Sequence, residues 1–292
     1  MSDGHPCPIC HEASGTSLFV SRSPVRGMRG TSYQVFGCDI CNHRWCHGDV
    51  SSKTLQAAYD GNFHDSPQQT ATSAQSNDPV ALNARLRAQW LAARGLHGQL
   101  LDVGAGKGYF VRAAGDSGFI ARGIDLSPAA ATAAVAIGAC VVAGDFQDSS
   151  VEPASFSVLT MWDVLCGMVD PDKTVAQAAR LLKSPGHLVL TVADGTSFAA
   201  RRLGRFWPLM IPPINLHFFS HESLARLLAR HGFILESFDH RGKRVNVQFA
   251  AQKAARMIHA KPLERLFGAV VPRTWAIDMN LGDIAYAVAR KG

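Results

Sequence analysis

Residues 100–110, LLDVGAGKGYF, combine an apolar run with closely spaced glycines. The apolar start predicts a buried strand that leads into a turn with Gly104, Gly106 and Gly108, and a helix is expected from Tyr109. Glycine lets the backbone approach a ligand closely, and the first turn of a helix offers it free N–H groups. The spacing excludes two common phosphate sites. The dinucleotide fingerprint needs glycine where Tyr109 stands, and the phosphate loop needs Ser or Thr where Gly108 follows lysine.

Two C-x2-C pairs near the N-terminus form a second pattern with a chemical meaning. The four residues are Cys7, Cys10, Cys38 and Cys41. Tetrahedral zinc takes four thiolates and each pair supplies two, so we expect a structural zinc site in a small ribbon. A segment of this length forms little core without such a staple. Reduced, unligated cysteines are the alternative, and His43, Cys46 or His47 could replace the fourth ligand.

Acidic and aromatic residues follow the predicted strands beyond the glycine turn. Asp125 ends the apolar run GFIARGID, and a carboxylate at a strand end can accept hydrogen bonds from both hydroxyls of a ribose. Asp145 and Phe146 follow VVAG, and Trp162 and Asp163 follow FSVLTM. Each could be a capped strand end, but their order and spacing favour one shared ligand site.

Together with Asp102, these residues resemble the motifs of class I S-adenosylmethionine (SAM)-dependent methyltransferases, whose first motif is an acidic residue followed by G-x-G-x-G. The resemblance implies that SAM binds at the glycine turn, with its ribose on Asp125. It also implies that Asp145 and Phe146 lie near the adenine amino group and ring face. The cofactor-binding residues expected on this basis are Asp102, Gly104, Ala105, Gly106, Gly108, Asp125, Leu126, Asp145, Phe146 and Trp162.

Segments of strand and helix character alternate from residue 100 onward, which predicts a mainly parallel sheet covered on both faces. The resemblance implies an α/β, doubly wound, Rossmann-like domain whose seven-stranded sheet has an antiparallel final strand. We expect a zinc-ribbon-like module over residues 1–49 and a connector with helices over 50–95 that caps the SAM pocket. The methyltransferase domain is expected over 96–292, with a lid or substrate insertion at 195–220.

Helix starts are predicted where a capping side chain precedes an apolar pattern. The expected caps are Asp78, Ser127, Asp170 and Ser220, three of them followed directly by proline. After the first cap, Leu82, Leu86, Trp90 and Leu91 lie close to helical spacing, and Gly95 is expected to end the helix.

Composition limits the classes that remain. The chain has 292 residues, 47% of them hydrophobic, enough for one large core or two modest ones. No secretory apolar region follows Met1, and the longest apolar-looking run, 129–144, is too short to span a bilayer. Seven cysteines form no complete disulfide framework, so a cytoplasmic location is expected. A net charge of +6 permits an anionic partner, and the basic groups at 201–205 and 241–244 are solvated surface or an acceptor rim.

Residues 201–220 are too long and too aromatic for a simple connection, which is typical of a lid or binding segment. Methyl transfer is an in-line displacement, so the protein must orient a nucleophile and exclude water. We expect Trp207, His217 and Phe218 to contact the acceptor. His217 is the candidate catalytic residue, as a proton acceptor, and the alternative is a histidine packed beside the aromatic pair.

The chain departs from the family pattern beside the fourth strand. Relatives commonly read W-D-V-L-E-H there, whereas Cys166 and Gly167 replace the Glu-His pair in this sequence. Asn215 also stands where relatives often have histidine. Neither change touches the SAM motif, but the identity of the general base stays open.

The sequence therefore predicts an enzyme that transfers a methyl group from SAM to a small-molecule acceptor, with oxygen as the preferred atom. A secondary-metabolite, polysaccharide or cofactor pathway would use such an enzyme. One alternative is an RNA methyltransferase with a zinc-binding N-terminal module, although the basic residues are too scattered for a nucleic-acid reader. The other is a non-catalytic SAM-binding protein whose zinc ribbon binds a partner. We expect no membrane partner, and the N-terminal module could contact a second copy or another protein.

Overall fold

A computed structural model describes residues 5–12, 15–25, 28, 30–51, 54–55, 78–248, 251, 261–272 and 275–292. Much of the predicted connector, residues 56–77, lies outside these ranges. Among the described residues, no helix has both the length and the apolarity needed to cross a bilayer.

The chain folds into strands and helices in the following order along the sequence. The strands are β1 (Thr16–Arg22), β2 (Ser32–Gly37), β3 (Arg44–His47), β4 (Gln99–Val103), β5 (Ile120–Asp125), β6 (Val141–Ala143), β7 (Phe156–Met161), β8 (Leu182–Ala193), β9 (His217–Phe218), β10 (Phe233–His240), β11 (Lys243–Asn246), β12 (Ala276–Met279) and β13 (Ile284–Lys291). The helices are α1 (Pro79–Ala93), α2 (Tyr109–Asp116), α3 (Pro128–Ala136), α4 (Pro171–Leu181), α5 (Phe198–Leu203), α6 (His221–Arg230) and α7 (Lys261–Val270).

A seven-stranded sheet of order β10-β13-β8-β7-β4-β5-β6 forms the centre of the fold. Strands β4 to β8 pair in parallel, and β13 runs antiparallel to both β8 and β10. The predicted α/β fold with an antiparallel final strand is therefore confirmed. In such a sheet the carboxyl ends of the parallel strands meet at one edge, where ligands bind.

The four predicted caps begin helices as expected. Their side chains accept hydrogen bonds from backbone N–H groups two or three residues further on in α1, α3, α4 and α6. Of the four residues at helical spacing in α1, Leu91 is fully buried, whereas Leu86 is 48% exposed. The helix also packs through Ala81, Ala84 and Ala88, whose small side chains allow a close approach to the core.

A second, four-stranded sheet of order β1-β2-β3-β9 contains the cysteine-rich N-terminal segment. Its last strand belongs to the 195–220 insertion: Arg44 pairs with Phe218, and Trp45 pairs with His217. Buried side chains of both segments share one hydrophobic cluster, including Phe36 and Phe218. The N-terminal segment therefore packs against the 195–220 insertion.

The two-stranded antiparallel sheet of β11 and β12 was not predicted. It lies against α1, where the side-chain amide of Asn83 donates to the carbonyl of Arg244 (2.8 Å) and accepts from its N–H (2.9 Å). These paired bonds fix the segment after β10 over the helix that precedes the glycine turn.

Candidate active site

The glycine turn follows β4 with all three glycines in the left-handed region, at φ values of 68°, 51° and 77° for Gly104, Gly106 and Gly108. A Cβ atom on Gly108 would lie 2.6 Å from the Cβ atom of Ala139, and one on Gly104 would lie 2.5 Å from Val164. Around Gly106, by contrast, no described heavy atom beyond its neighbours would lie within 4 Å of such an atom. The turn is therefore closely packed at both ends and open in the middle, where a ligand could meet backbone.

Asp125 stands at the end of β5, beside the turn. Its Oδ2 atom accepts a hydrogen bond from the Gly106 N–H at 2.7 Å, and its Oδ1 atom accepts from the Ser127 N–H at 2.9 Å. Each carboxylate oxygen has two lone pairs, so both can still accept from a ligand hydroxyl. The predicted ribose partner thus lies directly against the glycine turn.

Asp102 lies beneath the turn and is only 2% exposed. Burial raises the pKa of its carboxyl to about 7, although a hydrogen bond from the Thr160 hydroxyl (2.6 Å) and the charge of Arg87 oppose the rise. A cation bound nearby would favour the ionised form. Asp102 is therefore a buried acid whose charge depends on what occupies the cleft.

Arg87 of α1, a residue that was not predicted, contacts side chains at the carboxyl end of β7. Its guanidinium lies 4.6 Å from the ring centroid of Trp162 and forms an ion pair with Asp163 (3.2 Å). The buried indole Nε1 of Trp162 has no hydrogen-bond partner among the described residues. The sequence pointed to Arg87 only indirectly, through the expectation that the helices of residues 50–95 cap the pocket.

Asp163 itself is a backbone outlier, with a φ of 61° that residues other than glycine rarely adopt. Its N–H donates to the Thr191 hydroxyl at 2.7 Å. Desolvation alone would raise the pKa of its carboxyl group. The positive charges of Lys243 and Arg87 outweigh this effect, so the pKa is lowered. Hydrogen bonds between Asp163 and Thr191 thus join the end of β7 to β8, and the ion pair with Arg87 joins it to α1.

The remaining predicted cofactor residues lie at the same edge, beyond β5. Leu126 is exposed directly after Asp125, and Phe146 is buried just after β6 with Asp145 exposed beside it. The Asp145 carboxylate accepts from the Gln147 N–H at 2.8 Å, which fixes this turn. The structure therefore brings the ten predicted residues to the carboxyl edge of β4, β5, β6 and β7, while their contacts to SAM stay predictions.

The three predicted acceptor residues are buried. The indole of Trp207 donates to Asp283 at 2.8 Å, and Phe218 is enclosed in the core. His217 is 5% exposed; its Nδ1 atom lies 3.0 Å from the Nε2 atom of His43, and burial lowers its pKa to about 4. This geometry matches the packed-histidine alternative, and contact of these side chains with an acceptor stays a prediction.

A different histidine lies at the carboxyl edge of the sheet. The Nε2 atom of His240, the last residue of β10, lies 2.8 Å from Oδ2 of Asp194, which follows β8. The other oxygen of Asp194 accepts from the N–H and hydroxyl of Thr196 at 2.7 and 2.6 Å. The carboxylate is buried, whereas the His240 side chain is 35% exposed. A fixed carboxylate thus orients an accessible imidazole. The two residues lie 46 positions apart in the chain, so no local sequence pattern predicts this contact.

The four predicted metal ligands come together, with their sulfur atoms within 4.8 Å of one another. The Cys7–Cys41 and Cys10–Cys38 sulfur distances are 3.7 and 3.5 Å. Zinc–sulfur bonds of about 2.3 Å in a tetrahedron separate the sulfurs by about 3.8 Å, so the donor set fits zinc. The His43 ring faces His217 instead of this cluster.

Comparison with known proteins relates the chain to methyltransferases. The methyltransferase domain family matches residues 75–237, more than half of the chain. None of the curated proteins matches the sequence significantly.

Solved structures with this fold include a SAM-dependent methyltransferase from Thermotoga maritima, at 20% identity and a TM-score of 0.50. The match covers 74% of this chain and 91% of that one. The YcgJ protein from Bacillus subtilis is 16% identical with a TM-score of 0.50, over 72% of this chain and 98% of its own. At these identities the likeness shows the fold, and the family match shows the relationship. The chain therefore belongs to the methyltransferase domain family and is a SAM-dependent methyltransferase.

Proposed function

We propose that this enzyme methylates a small molecule at oxygen, with SAM bound across the turn of Gly104, Gly106 and Gly108. The observation that carries the proposal is the hydrogen bond from the Gly106 N–H to Asp125, which joins the open part of the turn to a carboxylate able to accept from ribose. SAM supplies a methyl carbon bonded to a positively charged sulfur. The residues of the chain must hold that donor, exclude water and align the acceptor.

We infer that the amino-acid end of the donor lies between the turn and α1. Asp102 and Asp163 offer negative charge toward its cationic groups, and Arg87 offers positive charge toward its carboxylate. The support is the contact of Arg87 with Trp162 and Asp163 at the end of β7, next to the turn. Leu126, Asp145 and Phe146 would contact the adenine on the other side of Asp125.

We propose His240 as the proton acceptor for the incoming hydroxyl, in place of His217. An alcohol or phenol that attacks a methyl group must lose its proton, and an imidazole held by a carboxylate can accept it. The support is the Asp194–His240 hydrogen bond, with the imidazole exposed at the carboxyl edge of the sheet. His217 would then act through packing, together with Trp207 and Phe218.

We also propose that Cys7, Cys10, Cys38 and Cys41 hold one structural zinc ion. Four thiolates leave no open position for a substrate, so the metal would stabilise the N-terminal module and not act in catalysis. Because β3 pairs with β9, the metal would also stabilise the insertion that covers the acceptor side. The division into units 1–49, 50–95 and 96–292 stays part of the proposal, and the pairing of β3 with β9 supports a link between the first unit and the third.

Transfer of radiolabelled methyl from SAM tests the acceptor class. The purified enzyme is offered a low-molecular-mass extract or bulk RNA, with Asp125→Ala as a control for donor binding. We expect label in an organic product of the small-molecule fraction. Label in RNA that is lost at high salt would replace the small-molecule proposal with the RNA one.

With the acceptor found in this way, His240→Gln tests the base. We expect kcat to fall about a hundredfold or more, with SAM affinity unchanged. His97→Gln, at an exposed histidine outside this edge, is the matched control. An unchanged kcat in the His240 variant would remove this residue from catalysis.

A further inference from the structure

The segment from α5 through the following turn, residues 198–206, exposes both aromatic and cationic side chains, and we call it the Phe–Arg patch. Phe198 is 74% exposed and Phe206 is 65% exposed, although large aromatic side chains normally pack inside. Arg201, Arg202 and Arg205 are exposed between them. Exposed apolar side chains with polar or charged residues around them can mark an interaction surface.

The patch is held in place at both ends. Ser197 caps α5 by accepting from the Ala200 N–H at 3.1 Å, and Ala200 itself is buried. Directly after the patch, Trp207 is buried and its indole donates to Asp283. The outward position of Phe198 and Phe206 therefore belongs to an anchored segment.

All charged side chains of the Phe–Arg patch are positive. Residues 195–220 contain no aspartate or glutamate. Arg201, Arg202 and Arg205 form no ion pair within the part of the chain that the structure describes. A second copy docked through the same patch would bring six arginines together, so self-association is disfavoured. The charge selects an anionic partner.

We propose that the Phe–Arg patch docks the enzyme on an anionic lipid surface. Aromatic side chains insert at the boundary of headgroups and acyl chains, while arginines bury their stems and keep their guanidinium groups at the phosphates. An acidic protein would satisfy the arginines, but it offers less to two isolated phenylalanines. The expectation of no membrane partner came from the lack of a spanning segment, and interfacial contact needs none.

The position of the patch gives this docking a consequence for the site. Ser197 lies three residues after Asp194, which directly follows β8 at the carboxyl edge of the sheet. Docking would therefore bring the lipid headgroups close to the edge that carries the candidate site.

Sedimentation with lipid vesicles tests the proposal on the full chain. We expect the protein to pellet with vesicles of phosphatidylcholine mixed with phosphatidylglycerol, not with phosphatidylcholine alone, and to be released at high salt. Arg201→Glu with Arg202→Glu should weaken binding by more than about tenfold, since each arginine near such a surface contributes roughly fivefold. Phe198→Ser with Phe206→Ser should weaken it as well.

Matched controls keep the test decisive. Arg122→Glu changes the charge on β5 and Val135→Ser removes an exposed apolar side chain from α3, and both should bind vesicles like the wild type. SAM affinity measured by calorimetry reports whether each variant is folded. No pelleting of the wild type, or equal pelleting of the patch variants, would overturn the proposal. Binding to poly-glutamate without binding to vesicles would replace the lipid with an acidic protein.

Discussion

His43 and His217 join two segments that lie 174 residues apart, with Nε2 of the first 3.0 Å from Nδ1 of the second. Both rings are buried, and they lie nearly parallel with centroids 5.3 Å apart. The contact accompanies the pairing of β3 with β9. The N-terminal module and the insertion therefore depend on each other, and a change at this contact should affect stability before it affects chemistry.

The buried state of His217 predicts a pH dependence of folding. Burial lowers its pKa from 6.5 to about 4, so below 6.5 the unfolded chain binds the proton more readily. Stability is then fully present above about pH 6.5 and is lost progressively as the pH falls toward 4. In urea denaturation, we expect His217→Gln to reduce the loss between about pH 7.5 and about pH 5.5 by about 1 kcal/mol. Equal losses in both proteins would contradict this account of His217.

Asp125 should control donor affinity. Loss of its carboxylate removes the acceptor for ribose and the bond that holds Gly106, so we expect Asp125→Ala to weaken SAM binding by at least about tenfold in calorimetry. Asp116→Ala, which removes an exposed carboxylate paired with Arg112 on α2, serves as the control and should bind normally. Unchanged affinity in the Asp125 variant would remove this residue from the ribose site.

Asp102 should release a proton when the donor binds. Its pKa of about 7 in the free enzyme follows from burial, and a cationic ligand nearby would lower it. The binding heat near pH 7 should therefore vary with the ionisation enthalpy of the buffer. Asp102→Asn should abolish that variation and weaken binding. Identical buffer dependence in wild type and variant would show that Asp102 does not sense the ligand.

The cysteine cluster should hold about one zinc ion per chain, measured by elemental analysis. Cys7→Ser combined with Cys10→Ser should lose the metal and lower the melting temperature. Because β3 pairs with β9, hydrogen exchange should also rise at Phe218. Cys140→Ser, at an exposed free cysteine, should retain the metal. A metal-free wild type that is well folded would refute the site.

Local chemistry explains which features the sequence could predict. A left-handed turn needs glycine and a helix start needs a side-chain acceptor, so Gly108 and Ser220 reveal their roles within a few residues. The Asp194–His240 contact and the pairing of β3 with β9 depend on tertiary packing between distant segments. No local pattern distinguishes a histidine that packs, such as His217, from one held at an accessible edge.

A crystal structure with S-adenosylhomocysteine, the demethylated donor, tests the central claim most directly. The account predicts that the ligand lies against Gly104, Gly106 and Gly108, with both ribose hydroxyls on Asp125 and the sulfur facing the ends of β7 and β8. A ligand bound at another edge of the sheet, or ribose hydroxyls without contact to Asp125, would contradict it.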